Sequence, residues 1–273
     1  NLDELVLKSA PQADGFLSVS KAMAERVRQL VPDFPRERIL GLSYFVDPPP
    51  ELAQREISAA PRPGPFRLGY AGRIREAQKR LDRLPALLAE LDRRGVDYVF
   101  EVMGDGPYEP KLREQIGAHP RVKFLGWRGG PDYWETIAGW QALVLFSDFE
   151  GFSRAGMEAM MGGVLLVYPQ FSAAGAELLG PLAPHGLYPV GDMAAAAERI
   201  ARLAALSSGE RAGLGRLARQ HLAAHSPDNY LAAYRKFINE LRDAPPRARP
   251  VPPPAWHDWM LLGLYTRLFP GRF

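Results

Sequence analysis

A doubly wound α/β fold built on a parallel sheet is what this sequence predicts, and three observations predict it. Segments that read as strands alternate with segments that read as helices from Phe66 to about Ala223, the order that builds strand, helix, strand units. The run from Gln141 to Phe146 holds Ala142, Leu143, Val144, Leu145 and Phe146 and leaves no polar face, as expected of a strand covered on both sides. Charged residues and glycines gather where strands end, as Gly72-Arg73 after Phe66 to Ala71 and as Glu150-Gly151 after the 141–146 run. Open parallel sheets bind their ligands at that edge.

Taken in order, Asn1 to Ala10 reads as the middle or end of a helix with no cap before it, so the chain is expected to begin mid-domain. Asp14 to Ser20 reads as a strand, and Ser20 as the N-cap of a helix over Lys21 to Leu30, where Ala22, Met23, Val27 and Leu30 recur at helical spacing. Arg38 to Leu42 is a short strand. Residues 48–64 follow as a proline-rich connector. Then come a strand at Phe66 to Ala71, a helix at Leu81 to Arg93, a strand at Tyr98 to Met103, a helix ending at Ile116 and a strand at Val122 to Leu125. Beyond the 141–146 strand, Ser153 to Met161 favours a helix, with Met157 and Met160 or Met161 facing inward. A strand at Val164 to Val167, a short helix at Ala174 to Leu179, a strand at Gly186 to Val190 and a helix at Met193 to Ala205 complete the alternation. Ser207 and Ser208 can cap a helix to about Ala223. Pro227 opens an amphipathic helix with Tyr230, Leu231, Tyr234, Phe237, Ile238 and Leu241 on one face.

Composition narrows the function classes. With 273 residues, 47% of them hydrophobic, the chain can bury a substantial core in one or two domains. No stretch reaches the length of a membrane span, no signal peptide pattern is present, and the absence of cysteine excludes a disulfide framework. A cytoplasmic protein is the natural expectation. The net charge of +3 lies in residues 244–273, where Arg247, Arg249, Arg267 and Arg272 stand against Asp258. The rest sums to zero, so a basic face for nucleic acid is not expected. Ala244 to Pro254 is an extended spacer, and Trp256 to Phe269 is an aromatic-rich helix. This helix either docks onto a preceding domain, the favoured expectation, or rests on a membrane surface at the inner face.

The chemistry centres on residues 141–163. A backbone that turns from a strand's carboxyl end into a helix amino terminus presents N–H groups and a positive dipole end, which suits a phosphate. Glu150 precedes the turn and Glu158 lies about two helical turns on, where its side chain leans back toward the same crevice. Glu150-Gly-Phe-Ser-Arg-Ala-Gly-Met-Glu158, followed by Ala-Met-Met-Gly-Gly, resembles the E-x7-E signature of retaining glycosyltransferases of family 4. That resemblance covers roughly residues 12–243 and is densest over 66–163. It weakens at Gln170 to Leu179, and Phe45-Val-Asp47 replaces the family's G-V-D.

The resemblance implies the Rossmann-like donor domain of the GT-B fold at 65–243, with 1–47 as the end of an amino-terminal domain that is otherwise missing. It implies a metal-independent transfer with retention, from a UDP-, GDP- or ADP-sugar to a carbohydrate or lipid-linked acceptor, and no cofactor. Arg73 and Lys79 match the G-R-x-x-x-x-K cations that contact the donor phosphates, beginning at Gly72. Glu158 would accept hydrogen bonds from the ribose, and Glu150 would meet the donor sugar. The N–H groups of Phe152, Ser153 and Arg154 would cradle phosphate. Arg154 replaces an apolar residue, which leaves open whether it reaches the diphosphate or covers the pocket. Gly104 and Trp127 fall where the family holds the nucleoside; Trp127 would otherwise be an ordinary half-buried aromatic. Arg75 and Arg80 are expected to face water.

Two other classes compete. Gly151-Phe-Ser153-Arg-Ala155 approximates the nucleophile elbow of α/β-hydrolases, with Asp192 and His221 or His225 downstream. That alternative leaves Arg73, Lys79 and Glu158 without a role. Asp148-Phe-Glu150 imitates a D-x-D metal motif only over three residues, and the five histidines show no metal-ligand pairing. The remaining alternative is a nucleotide-sugar-binding domain without turnover, since an acceptor site would come from the preceding domain. No Walker loop or G-x-G-x-x-G is present.

Overall fold

The computed structural model describes residues 2–247; most of the proline-rich spacer and the helix expected at 256–273 lie outside the described residues. The chain divides into two units, one of Tyr44–Pro227 and one of Asn1–Ser43 with the stretch from Asp228 onward.

In the smaller unit, helix α1 (Leu2–Ser9) precedes strand β1 (Phe16–Ser18), helix α2 (Lys21–Leu30) and strand β2 (Ile39–Gly41). The two strands pair in parallel. Ser20 caps α2 as expected, accepting the Met23 N–H at 3.0 Å. Val6, Ala24, Val27, Phe34 and Ile39 form the core, with Phe16 set edge-on to Phe34.

The larger unit begins with the proline-rich connector, which the structure folds locally into a four-residue helix, α3 (Pro50–Ala53), with Leu52 buried. Its sheet contains β3 (Phe66–Ala71), β4 (Tyr98–Met103), β5 (Val122–Gly126), β6 (Ala142–Val144), β7 (Leu165–Pro169) and β8 (Leu187–Tyr188). All pairings are parallel and the order is β5-β4-β3-β6-β7-β8. The doubly wound sheet that the alternation predicts is therefore present. Its order reverses between β3 and β6, which opens a crevice at their carboxyl ends.

The helices of this unit are α4 (Leu84–Arg93), α5 (Glu109–Ile116), α6 (Gly130–Ala138), α7 (Arg154–Met161), α8 (Ala173–Leu179), α9 (Ala183–Gly186), α10 (Met193–Ala205) and α11 (Ser208–Leu222). Most follow the apolar spacing of the sequence: α4 buries Leu84, Leu87, Leu88 and Leu91. A full capping box between Ser207 and Glu210 starts α11. The strand expected at Gly186 to Val190 narrows to Leu187–Tyr188, with Gly186 closing α9, and three further expectations change. Leu81–Arg83 forms a 3-10 turn rather than the first turn of α4, because Pro85 lacks the N–H that an earlier α-helical start would use. The segment after Trp127, to which the sequence reading assigns no element, contains the nine-residue helix α6. The strand expected at 141–146 keeps ladder pairing only over Ala142–Val144, although Leu145 and Phe146 stay buried.

Helix α12 (Pro227–Asp243) is the last described element. Of its apolar face only Phe237 is buried; Leu231 and Tyr234 are exposed. Among the described residues no helix is long and apolar enough to cross a membrane.

Candidate functional site

Four loops meet at the crevice, and their backbones are laced together before any side chain contributes. The Gly72 N–H donates to Met103 O at 3.0 Å, the Gly104 N–H to Gly126 O at 2.9 Å, and the Ile74 N–H to Asp105 O at 2.6 Å. Gly104 has a φ of +136°, and a Cβ there would lie 1.9 Å from the Gly72 carbonyl oxygen. Only glycine fits such an approach. Helix α7 enters from the other side, capped by Ser153, whose hydroxyl accepts the Gly156 N–H at 3.1 Å.

The result is an open cleft of about 350 Å³. It brings together six of the residues singled out in the sequence: Gly72, Arg73, Gly104, Trp127, Arg154 and Glu158. Lys79, Glu150, Phe152 and Ser153 do not line it. Phe152 and Ser153 are buried, and the Phe152 ring stacks on His225 with centroids 6.1 Å apart. Trp127 is not half-buried but 72% exposed, with its ring against the Gly129 backbone. An indole left that open offers a flat face at the cleft rim for a planar ring.

Glu158 is the most tightly held of the lining groups. Its side chain is 9% exposed, its Oε2 accepts the Tyr133 hydroxyl, and its Oε1 accepts Arg154 Nε at 3.0 Å. Burial, reinforced by the Glu158 charge, raises the Tyr133 pKa far above the ordinary phenol value, so Tyr133 keeps the proton that it donates. Tyr133 and Arg128 line the cleft too and were not among the residues that the sequence singled out. Tyr133 depends on α6, and the signal for α6 was available: Pro131 falls in the first helical turn with Asp132 beside it.

Lys79 and Glu150 form a second centre. Lys79 Nζ lies 2.5 Å from Glu150 Oε1, which also accepts the Ser147 hydroxyl at 2.7 Å. Neither charge is open to water, the side chains being 18% and 9% exposed. The loop carrying Lys79 is pinned to the loop carrying Glu150 by further bonds. The Asp148 N–H donates to Gln78 O at 2.9 Å, and the Asp148 carboxylate accepts Arg80 at 2.8 Å and Arg83 at 2.5 Å. Arg80, expected to face water, is instead half-buried in this network and also bonded to Asp82. It holds a left-handed backbone, φ +51°, which charge-assisted bonds to two carboxylates offset. The exposed Arg75 behaves as the sequence suggests.

The residues of the hydrolase alternative have structural work elsewhere. The Ser153 hydroxyl is committed to capping α7, Asp192 caps α10 through the Ala195 N–H at 2.8 Å, and His221 Nε2 lies 3.1 Å from Glu177 O. Asp148, the first member of the D-x-D imitation, is neutralised by its two arginines.

Comparisons with known proteins agree with this architecture. A family model described as glycosyl transferases group 1 matches residues 65–205. Lipopolysaccharide 1,6-galactosyltransferase of Escherichia coli (strain K12) is 30% identical over 133 residues, which are 46% of this chain and 36% of that protein. The 2-deoxystreptamine glucosyltransferase of Streptomyces kanamyceticus is 25% identical over 241 residues, 83% of this chain and 59% of the relative. Among solved structures, the apo form of the lipopolysaccharide outer core galactosyltransferase WaaB matches with a TM-score of 0.68 at 22% identity, over 84% of this chain and 62% of that one. HepE of Anabaena, solved with UDP and glucose, matches with a TM-score of 0.68 at 18% identity, over 87% of this chain and 66% of its own. At such identities the structural likeness shows the fold alone. The chain spans 35–59% of the length of the curated relatives it matches.

Proposed function

Since the chain belongs to the glycosyl transferases group 1, we propose that its cleft holds the nucleoside diphosphate of a nucleotide-sugar donor, and that the chain is the donor-binding part of a retaining transferase. The observation that carries this is the meeting of Arg73, Arg154, Glu158 and the amino terminus of α7 in one cleft at the reversal of strand order. Cleaving a glycosyl phosphate bond builds charge on the departing diphosphate. Fixed positive groups aimed at that charge lower the barrier most. Arg73 and the α7 amino terminus would meet it first, while Lys79, held by Glu150, keeps two of its three ammonium donors for a phosphate oxygen or the sugar. Glu158 would take the ribose hydroxyls. Trp127 would lie against the base. The exposed rim accepts any planar base, and the UDP bound in HepE favours uracil among the three expected.

The acceptor is a carbohydrate or lipid-linked molecule in this proposal, as in the relatives named for lipopolysaccharide, and a cytoplasmic location remains part of it. The test is calorimetric titration with UDP, GDP and ADP, with and without magnesium, beside an Arg73→Ala control. One diphosphate should bind, independently of magnesium, and the control should lose it; no binding of any would overturn the proposal. Release of UDP from a UDP-sugar separates transfer from binding without turnover, the second function that the shorter span allows. Ester hydrolysis lost in Ser153→Ala would restore the hydrolase.

A further inference from the structure

Both oxygens of the Glu158 carboxylate already have one donor each, and the donors come from different elements. Tyr133 reaches Oε2 from α6, and Arg154 reaches Oε1 from the first residue of α7. A glutamate's terminal torsion is broad, so one contact would leave the carboxylate free to rotate. One contact on each oxygen fixes its plane. A carboxylate oxygen accepts about two hydrogen bonds, so one acceptor direction per oxygen remains. Two such directions, side by side and fixed, match the two adjacent hydroxyls of a ribose. Arg154 adds a second effect, because its cation offsets the repulsion between a buried carboxylate and an arriving diphosphate.

We propose that Tyr133 and Arg154 are positioning residues that make this cleft select ribose over deoxyribose nucleotides, by orienting Glu158 to receive a vicinal diol. The proposal rests on the donor-site function above. It assigns Arg154 a place that the sequence left open between reaching phosphate and covering the pocket, and it gives Tyr133 a role that the sequence did not suggest.

The experiment compares UDP, GDP and ADP with their 2′-deoxy counterparts, by calorimetry on the 273-residue chain and on Tyr133→Phe, Arg154→Met and Glu158→Gln. Tyr133→Phe keeps the ring and removes only the donor. Its preference for ribose should fall about tenfold, the worth of one hydrogen bond to a charged group. Its preference for diphosphate over nucleoside should not change. Arg154→Met should lower both preferences. Combining Tyr133→Phe with Glu158→Gln should lower the ribose preference no further than Glu158→Gln alone, because Tyr133 acts only through that carboxylate. A Tyr133→Phe chain that binds with the parent's ribose preference overturns the proposal, as does an equal loss for both sugars, which marks a purely structural role. If the parent chain binds none of the three diphosphates, the donor site itself fails and this inference with it.

Discussion

Replacing Asp148 with asparagine tests whether the Lys79 loop is held in place or simply rests there. The substitution keeps the size of the side chain and removes the charge that Arg80 meets at 2.8 Å and Arg83 at 2.5 Å. Hydrogen bonds to charged groups are worth about 1.5–3 kcal/mol when buried, and exposed ion pairs about 0.2–1 kcal/mol. The Asp148 side chain is 36% exposed against 14% for Arg83, so each bond falls between those limits, near 1 kcal/mol as an order of magnitude. The loss is about 2 kcal/mol, which lowers Tm by about 4–8 °C in a unit of this size. Arg83 keeps its bond to Phe146 O and Arg80 its bonds to Asp82, which limits the damage. The sign with pH is fixed by the carboxyl. Burial raises its pKa, but the two arginines outweigh that and leave it below the ordinary 3.8. A depressed carboxyl contributes fully above its unfolded pKa and loses that contribution as the pH falls through its folded value. The Tm difference between parent and Asp148→Asn should therefore persist from neutral pH down to about pH 4 and shrink below it. Thermal unfolding followed by circular dichroism reads both effects. Equal Tm values at neutral pH, or a difference that does not shrink in acid, would refute the clamp.

Three further predictions address the cleft. Arg73→Ala and Lys79→Ala should each weaken diphosphate binding about tenfold while changing nucleoside binding little, and equal losses for both ligands would remove them from the phosphate site. Gly104→Ala should destabilise the fold by about 2 kcal/mol or more, since the new Cβ collides with a carbonyl that cannot move without breaking the loop lacing; a chain unfolding at the parent's temperature would show that the loops have slack. Ser153→Ala should cost about 1 kcal/mol of stability through the lost N-cap and leave nucleotide affinity unchanged, measurable by denaturant unfolding beside titration.

Strands and most helices were legible because their signals are local. Ala142 to Phe146 has no polar face wherever it lies in the sheet, and Ser20 before an amphipathic run specifies α2 without help from the rest of the chain. The order of strands was not legible, since alternation gives the class of sheet but not which strands become neighbours. Helix α6 was not legible because Gly129, Gly130 and Pro131 are turn-forming residues at its start and the adjacent Tyr133 and Trp134 blur the helical period. Arg80 looked solvated for a different reason. Its partner Asp148 is 68 residues away, and a left-handed backbone at an arginine leaves no trace in composition. The residues expected in the site divide the same way: Gly72, Arg73, Gly104 and Trp127 reach the cleft from the loops that follow strands and Arg154 and Glu158 from α7, whereas the placement of Glu150 and Lys79 outside its lining follows from side-chain pairing that only the folded chain defines.

The contact between Gly104 and the Gly72 carbonyl has a consequence for how this cleft can change. Its floor is peptide backbone, drawn so close that no side chain can be added there, and a peptide group presents the same atoms whatever the sequence around it. Variation is confined to the walls, where Trp127 and Arg128 project from the loop after β5, Tyr133 from α6 and Arg154 from α7. Such a vessel can be relined without being recast. A library restricted to those four positions should alter which nucleotide is preferred while every member retains the parent's sheet, and one that touches the floor should lose the vessel itself.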